Sequence, residues 1–467
     1  MTQQVQAAAP DLPSGAAEAK PVTFGEATRL WFKIGCLGFG GPAGQIALMH
    51  RLVVDEKRWV GEERFLHALN YCMLLPGPEA QQLAIYLGWL LHRTAGGLMA
   101  GILFVVPGAL VMFGLSLAYV WSRQFDISAG IFLGLKAAVL AIVVEAVLRI
   151  GKRALKNGWM VAIAAAAFAG IFLFQVPFPV IVLGAGAIGA AGAVWRPDIF
   201  SAAGHRAAGA GPAGLIDRLI ERGEAPHLQP RRGHVLRTLA IWLPLWLAPV
   251  AVLLLVLGPD HVFSEIALFF SQMAIVTFGG AYAVLAYVAQ EAVQGYGWLR
   301  PGEMLDGLAL AETTPGPLIL VLQFVGFLGA YHAPGALAPW LAGLFASLLT
   351  LWVTFAPCFL WIFLGAPYVE RVRSVPTLNG ALAAITAAVV GVIMNLALWF
   401  ALHSIFDEVR PWEMGPLSLS LPVGASIDWL ALALTAAALV AMLRFKTGMI
   451  VTLAGAALLG GLLHALR

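Results

Sequence analysis

Nine long apolar runs decide what this chain can fold into: 96–121, 127–148, 159–174, 178–195, 238–257, 336–364, 377–402, 428–443 and 448–466. Most approach or exceed the roughly 20 residues that cross a hydrocarbon core of about 30 Å. Charged residues make up only 11% of the 467, against roughly 25% in soluble domains. A transmembrane β-barrel would alternate polar and apolar residues in segments of about ten, and no such pattern is present. The chain therefore reads as an all-α polytopic membrane protein. Cys36, Cys72 and Cys358 all lie in apolar segments at no metal-ligand spacing. A net charge of +3 gives no pointer to nucleic acid. Residues 1–23 are rich in Ala, Pro and Gln and lack the apolar core of a signal peptide, which predicts a disordered cytoplasmic tail.

An internal repeat organises the rest. Phe39-Gly40-Gly41 recurs as Phe278-Gly279-Gly280, and Pro76-Gly77-Pro78 as Pro315-Gly316-Pro317, both 239 residues later. The same offset pairs Phe24 with Phe263, Glu26 with Glu265 and Trp59 with Trp298, and 13 of the 55 positions from 24 to 78 are identical. Further on the offset drifts; Pro107 then matches Pro357, and Gly134 matches Gly380. Two homologous halves result, 24–195 and 263–466. Between them lie a basic linker, 196–237, with Arg196, Arg206, Arg218, Arg222, Arg231, Arg232 and Arg237, and one unpaired apolar segment, 238–258. Basic loops stay in the cytoplasm. One extra crossing between halves that each cross an even number of times makes them inverted repeats, an architecture of secondary transporters.

Two topologies fit this pattern. Segments 24–50 and 65–91 either each cross, giving 13 spans, or each bend back as a re-entrant hairpin, giving nine. Both place the N-terminus in the cytoplasm and the C-terminus outside. The connecting segment 51–64 holds Arg51, Lys57, Arg58 and Arg64, and the hairpin reading keeps these inside. Residues 65–75 give about 16 Å of helix, enough to reach the midplane but not to cross. Segment 24–50, by contrast, is long enough to cross.

The breaks themselves carry the chemistry. Pro76 and Pro78 end one helix, and Pro78 can open another. The N–H groups of Glu79, Ala80 and Gln81 then head a half-helix whose positive end suits an anion. In lipid such a break must face protein or a wet cavity. The glycines of FGG allow a second close backbone approach. The two halves are expected to bring four such breaks together.

The stretches FKIGCLGFGGPAGQIALM, CMLLPGPEAQQLAIYLGW, FGGAYAVLAYV and AETTPGPLILVLQFVGF, with the RWV at 58–60, resemble the long-chain chromate ion transporter family, over nearly the whole chain from about residue 24. The resemblance implies chemiosmotic export of chromate and the resistance that follows. Sulfate or another tetrahedral oxyanion is the alternative cargo, and an anion channel the alternative mode. Membrane potential or ion coupling would drive it, in a bacterial inner membrane. No cofactor, metal or nucleic acid is implied, lipid surrounds the chain, and a homodimer is compatible with it. The two halves differ, with GGAY against GGPAG, and with Glu312 before one PGP where Glu79 follows the other.

Polar residues inside the apolar segments complete the substrate-binding candidates. Gln45, Glu79, Gln82, Glu312 and Gln323 accompany the ten glycines and prolines of the motifs, Gly40, Gly41, Pro76, Gly77, Pro78, Gly279, Gly280, Pro315, Gly316 and Pro317, together with Phe39 and Phe278. Gln81, Asn70 and Asn395 are further neutral hydrogen-bonding groups. Lys136 is the buried cation candidate; it lies nine residues from Glu145, on the opposite helix face, so its counter-charge would be the substrate, Glu145 of a neighbour, or Glu312. Arg29 and Lys33 share one face and either recruit anions from the cytoplasm or anchor the helix by snorkelling. His50, His67 and His92 sit near segment ends without zinc spacing. An intramembrane enzyme would need a nucleophile with its base or paired acids, and no HExxH, GxSxG or aspartate dyad is present.

Overall fold

In the computed structural model the described residues are 22–122, 126–200, 214–221, 233–278, 281–369, 376–415 and 417–466. The fold is helical, and among the described residues six helices are long and apolar enough to cross a membrane. Most of the tail, much of the basic linker, and Gly279 and Gly280 lie outside the described residues.

Each half opens with two broken helices. Helix α1 (Phe24–Leu37) is capped by the Thr23 hydroxyl and spans 14 residues, about 21 Å. The chain breaks at Gly38–Gly40 and returns in α2 (Gly41–His50). Lys57 then pairs with Glu26 at 2.9 Å, so the segment ends beside its own start. Helix α3 (Glu62–Cys72) breaks at the PGP motif. Helix α4 (Glu79–Ser122) follows and reverses direction at His92 and Arg93, where Arg93 has φ 54°. There the His92 ring packs on Phe24, 5.5 Å between centroids. Both excursions thus return to the start of α1, the geometry expected of re-entrant hairpins. The return limb α2 runs on into a π-helical stretch, Arg51–Glu56, which carries the chain back to Lys57.

The second half repeats the plan. Helices α11 (Val262–Val276) and α12 (Ala281–Gln290) form the first excursion. It closes where the Trp298 indole donates to Glu265 at 3.2 Å. Helices α13 (Pro301–Thr313) and α14 (Val321–His332) form the second, closed by His332 Nδ1 against the Trp298 carbonyl at 3.0 Å.

Long helices follow each pair of hairpins: the 94–122 limb of α4, α5 (Asp126–Ala154), α6 (Gly158–Phe174) and α7 (Phe178–Trp195) in the first half. The linker contributes α8 (Pro197–Phe200) and α9 (Leu215–Glu221), and α10 (His234–Leu257) joins the halves. Then come α15 (Pro339–Gly365), α16 (Pro376–Ile405), α17 (Trp429–Leu443) and α18 (Met449–Ala465). An antiparallel hairpin, β1 (Val409–Met414) with β2 (Leu417–Pro422), caps α16.

The halves interlock through exchanged contacts. Gly97 of α4 faces Phe363 and Gly101 faces Phe359, so α4 and its counterpart α15 run antiparallel. A Cβ on Gly134 of α5 would meet the Ala456 carbonyl of α18; one on Gly380 of α16 would meet the Gly189 carbonyl of α7. Gly134 and Gly380 are repeat equivalents. Each lets the last helix of the other half approach its backbone, the small-residue packing that replaces the hydrophobic effect in lipid. The linker docks beside the first hairpins: Leu215 and Ile216 N–H groups donate to the Arg58 and Trp59 carbonyls, both at 3.0 Å, and Arg64 pairs with Asp217 at 2.5 Å.

Candidate functional site

Two backbone hydrogen bonds tie the helix breaks together. The Gly77 N–H donates to the Thr277 carbonyl at 2.8 Å, and the Gly316 N–H donates to the Gly38 carbonyl at 2.9 Å. Adding 239 turns Gly77 into Gly316 and Gly38 into Thr277. One bond is therefore the repeat copy of the other, and each runs from the PGP of one half to the FGG break of the other half. The chain needs glycine here: φ is 114° at Gly77, 97° at Gly316, 88° at Gly40 and 65° at Gly41, a region closed to most side chains. The breaks meet in two pairs, one from each half in each pair, with Gly279 and Gly280 outside the described residues.

The long helices seal this junction in the same exchanged manner. A Cβ on Gly77 would lie 3.1 Å from the Cys358 thiol, while Gly316 lies against Gly108. Cys358 and Gly108 each follow the proline of an equivalent pair, Pro357 and Pro107.

Around the first PGP, Gln82 Nε2 donates to the Pro76 carbonyl at 2.7 Å. Gln45 Nε2 donates to the Gly38 carbonyl at 3.1 Å and also to that of Gly316. Pro78 precedes α4, and the first N–H closed within that helix is Gln82, bonded to the Pro78 carbonyl at 3.1 Å. The N–H groups of Glu79, Ala80 and Gln81 therefore head the half-helix, where its dipole is positive. Phe39 and Glu79 are half-buried beside it.

The second PGP is furnished differently. After Pro317 the chain makes a 3-10 turn, Leu318–Leu320, before α14 begins. Glu312 is buried and accepts from the Tyr282 hydroxyl at 2.7 Å. Gln323 Nε2 reaches the other half, donating to the Ala109 carbonyl at 3.0 Å. Phe278 is half-buried.

Other candidates lie elsewhere. Arg29 and Lys33 are exposed, on the side of α1 away from buried Ala27, Leu30, Trp31 and Ile34. Lys136 is matched neither with Glu145 nor with Glu312. Its ammonium lies 3.3 Å from Asp306 of α13, and Tyr119 donates to the same carboxylate at 2.9 Å. Glu145 pairs with Arg149 one turn along its own helix at 3.2 Å. The correction has a simple cause: α13 crosses α5 through its first turns, which puts Asp306, not Glu312, opposite Lys136. Asp306 was missed although its carboxylate in an apolar run is itself a signal for an intramembrane partner. Tyr282 and Asp217 carried no such signal, because only the chain path sets them beside Glu312 and Arg64. No group of three or more metal-ligating side chains is present among the described residues.

A helical, multi-pass membrane protein whose broken helices meet in its interior belongs to the transporter class of folds. The sequence pattern of chromate transporters matches residues 26–190 and 264–461, and the chain belongs to that family. It is 33% identical over 379 residues to a chromate transport protein of Pseudomonas aeruginosa, covering 80% of each chain. It is 28% identical over 389 residues to the chromate transport protein of Cupriavidus metallidurans, covering 83% of this chain and 85% of that one. An uncharacterized transporter of Bacillus subtilis is 32% identical over 153 residues, which are 32% of this chain and 77% of that protein. That relative is thus less than half as long as this chain. No solved structure matches. The protein is a transporter, not an enzyme.

Proposed function

We propose that the chain exports chromate from the cytoplasm, through a site formed where the four helix breaks meet, and so confers chromate resistance. The observation that carries this reading is the reciprocal pair of bonds from Gly77 to Thr277 and from Gly316 to Gly38. It gathers helix ends with free N–H groups inside a membrane, where they favour a tetrahedral anion. The names of the relatives support chromate as cargo; sulfate shares its shape and charge.

The halves act as inverted repeats in this reading. Support comes from the antiparallel run of α4 and α15 and from the exchanged Gly134 and Gly380 contacts. With both excursions of each half re-entrant, the chain crosses nine times, N-terminus inside and C-terminus outside. The basic linker and Arg51, Lys57, Arg58 and Arg64 then share the cytoplasmic face of a bacterial inner membrane. An interior-negative potential drives a dianion out with about 2.3 kcal/mol per charge per 100 mV. Coupling to another ion is not required.

The test is the Pro76→Ala/Pro78→Ala double variant. A helix that runs on through 76–78 withdraws its N–H donors and the Gly77 bond. Chromate uptake by everted vesicles is expected to fall to background with insertion unchanged. Full uptake would overturn the site.

A further inference from the structure

A second polar cleft lies away from the breaks, on the face opposite the inter-repeat linker. Its walls are the end of α6, the return limb α12, the outer part of α16 and strand β2. Its polar lining includes Gln175, Gln290, Gln294, Asn395, Trp399 and the serines of β2, and no charged side chain lines it among the described residues. Asn395 precedes the end of α16 at Ile405 by ten residues, so the cleft penetrates about 15 Å below that end.

Among the described lining residues, one carries a buried side-chain atom without a partner. The Trp399 indole N–H is buried and has no hydrogen-bond acceptor. An indole nitrogen is a donor only, so what is missing is an acceptor. The ring is held in place by His403, whose centroid is 4.3 Å away and whose Nδ1 meets the Trp399 carbonyl at 2.9 Å. At the mouth, Gln175 Nε2 donates to the Ser418 hydroxyl at 2.6 Å, which binds the β-hairpin to α6. Glu291 follows Gln290 but lies against Gly295.

We propose that this cleft is a second oxyanion site, which takes a fully ionised tetrahedral anion such as sulfate on the side where cargo is released. The proposal rests on the transport reading above for its role, though not for its chemistry. Amide, hydroxyl and indole donors can solvate such an anion without a lysine or arginine. Neutral donors hold it weakly enough to let it go, as a conduction path requires. The β-hairpin that closes one wall has no equivalent between α5 and α6, so the cleft, which takes residues from both halves, has no repeat copy.

Calorimetric titration of sodium sulfate into the purified full chain tests it. Trp399→Phe keeps the ring and removes the donor. It is expected to weaken one class of sulfate binding about tenfold, with an unchanged melting temperature. Gln175→Glu puts a carboxylate at the exposed mouth, where folding is not at stake, and should weaken the same class by about tenfold or more. The Pro76→Ala/Pro78→Ala variant should keep this class of binding. Loss of it there would assign all sulfate binding to the breaks and overturn the cleft. So would isotherms of Trp399→Phe and Gln175→Glu that superimpose on the unaltered chain. Competition by added phosphatidylglycerol, with no effect of free sulfate, would instead assign the cleft to a lipid headgroup and also overturn it. If the proline variant transports normally while Trp399→Phe still loses binding, the cleft stands and the break site fails.

Discussion

The two PGP motifs share a backbone and differ in nearly every side chain around it. Both carry a glycine with φ near 100° whose N–H crosses to the other half. Beyond that, the first is braced by Gln82 and Gln45 and opens directly into α4. The second opens through a 3-10 turn and carries a buried carboxylate, Glu312, bonded to Tyr282. The lesson is that duplication preserved the part that neither half can make alone, the exchanged backbone bonds. Side chains diverged around that shared backbone, and even those that cross between halves, Gln45 to the Gly316 carbonyl and Gln323 to the Ala109 carbonyl, do so from non-equivalent positions. The shared backbone thus carries an unequal lining: Glu79 follows the first PGP beside Gln82 and Gln45, whereas Glu312 precedes the second and is buried against Tyr282.

The comparison is broken most severely at the helices that cover the two motifs. Gly108 covers the second PGP, and a Cβ there would come 2.1 Å from the Pro315 carbonyl, a backbone atom that cannot yield. Gly108→Ala is expected to abolish transport and lower the yield of folded protein. Its equivalent, Cys358, already carries a side chain against Gly77. Cys358→Ala should cost about 1 kcal/mol or less and leave uptake near normal. Equal loss in both, read by vesicle uptake and detergent melting curves, would overturn the difference in tightness between the two covers.

A smaller effect is expected at the charge that only the first half possesses. The equivalent of Lys136 is Leu382, aligned through Gly134 and Gly380. Because Lys136 faces Asp306, Lys136→Met strands a carboxylate that is 8% exposed. Removing one partner of a fully buried pair costs roughly 3–5 kcal/mol. Lys136 is itself 23% exposed, so a loss of about 2–3 kcal/mol is expected once solvent screening is allowed for. Melting curves should show it, and Lys136→Met/Asp306→Asn should recover part of it. An unchanged melting temperature with weakened chromate affinity would return Lys136 to the anion path.

The smallest change belongs to the cations at the entry. Arg29→Gln and Lys33→Gln alter residues exposed on the outer side of α1. The second half has Leu268 and Gln272 in their places. Each single variant should change uptake less than twofold and stability by under about 0.5 kcal/mol. A loss of affinity that deepens at low salt would instead mark them as recruiting residues.

The sequence by itself determined the class of fold, the duplication and the points where helices break. Each of those depends on local physics. Apolar length demands a crossing, proline removes a donor, and an FGG or PGP recurring at one offset marks a copied backbone. It also anticipated that α4 would start after Pro78, since proline is favoured at a helix start. What only the tertiary structure decided is who meets whom. Segment 24–50 was long enough to cross, and its return became visible only when Lys57 paired with Glu26. Lys136 found Asp306 rather than Glu145 or Glu312, because partners across 170 residues are set by how α13 lies on α5. The reciprocal Gly77 and Gly316 bonds were equally beyond reach from sequence. A backbone N–H leaves no mark in a residue's identity, and its acceptor lies in the other half of the chain.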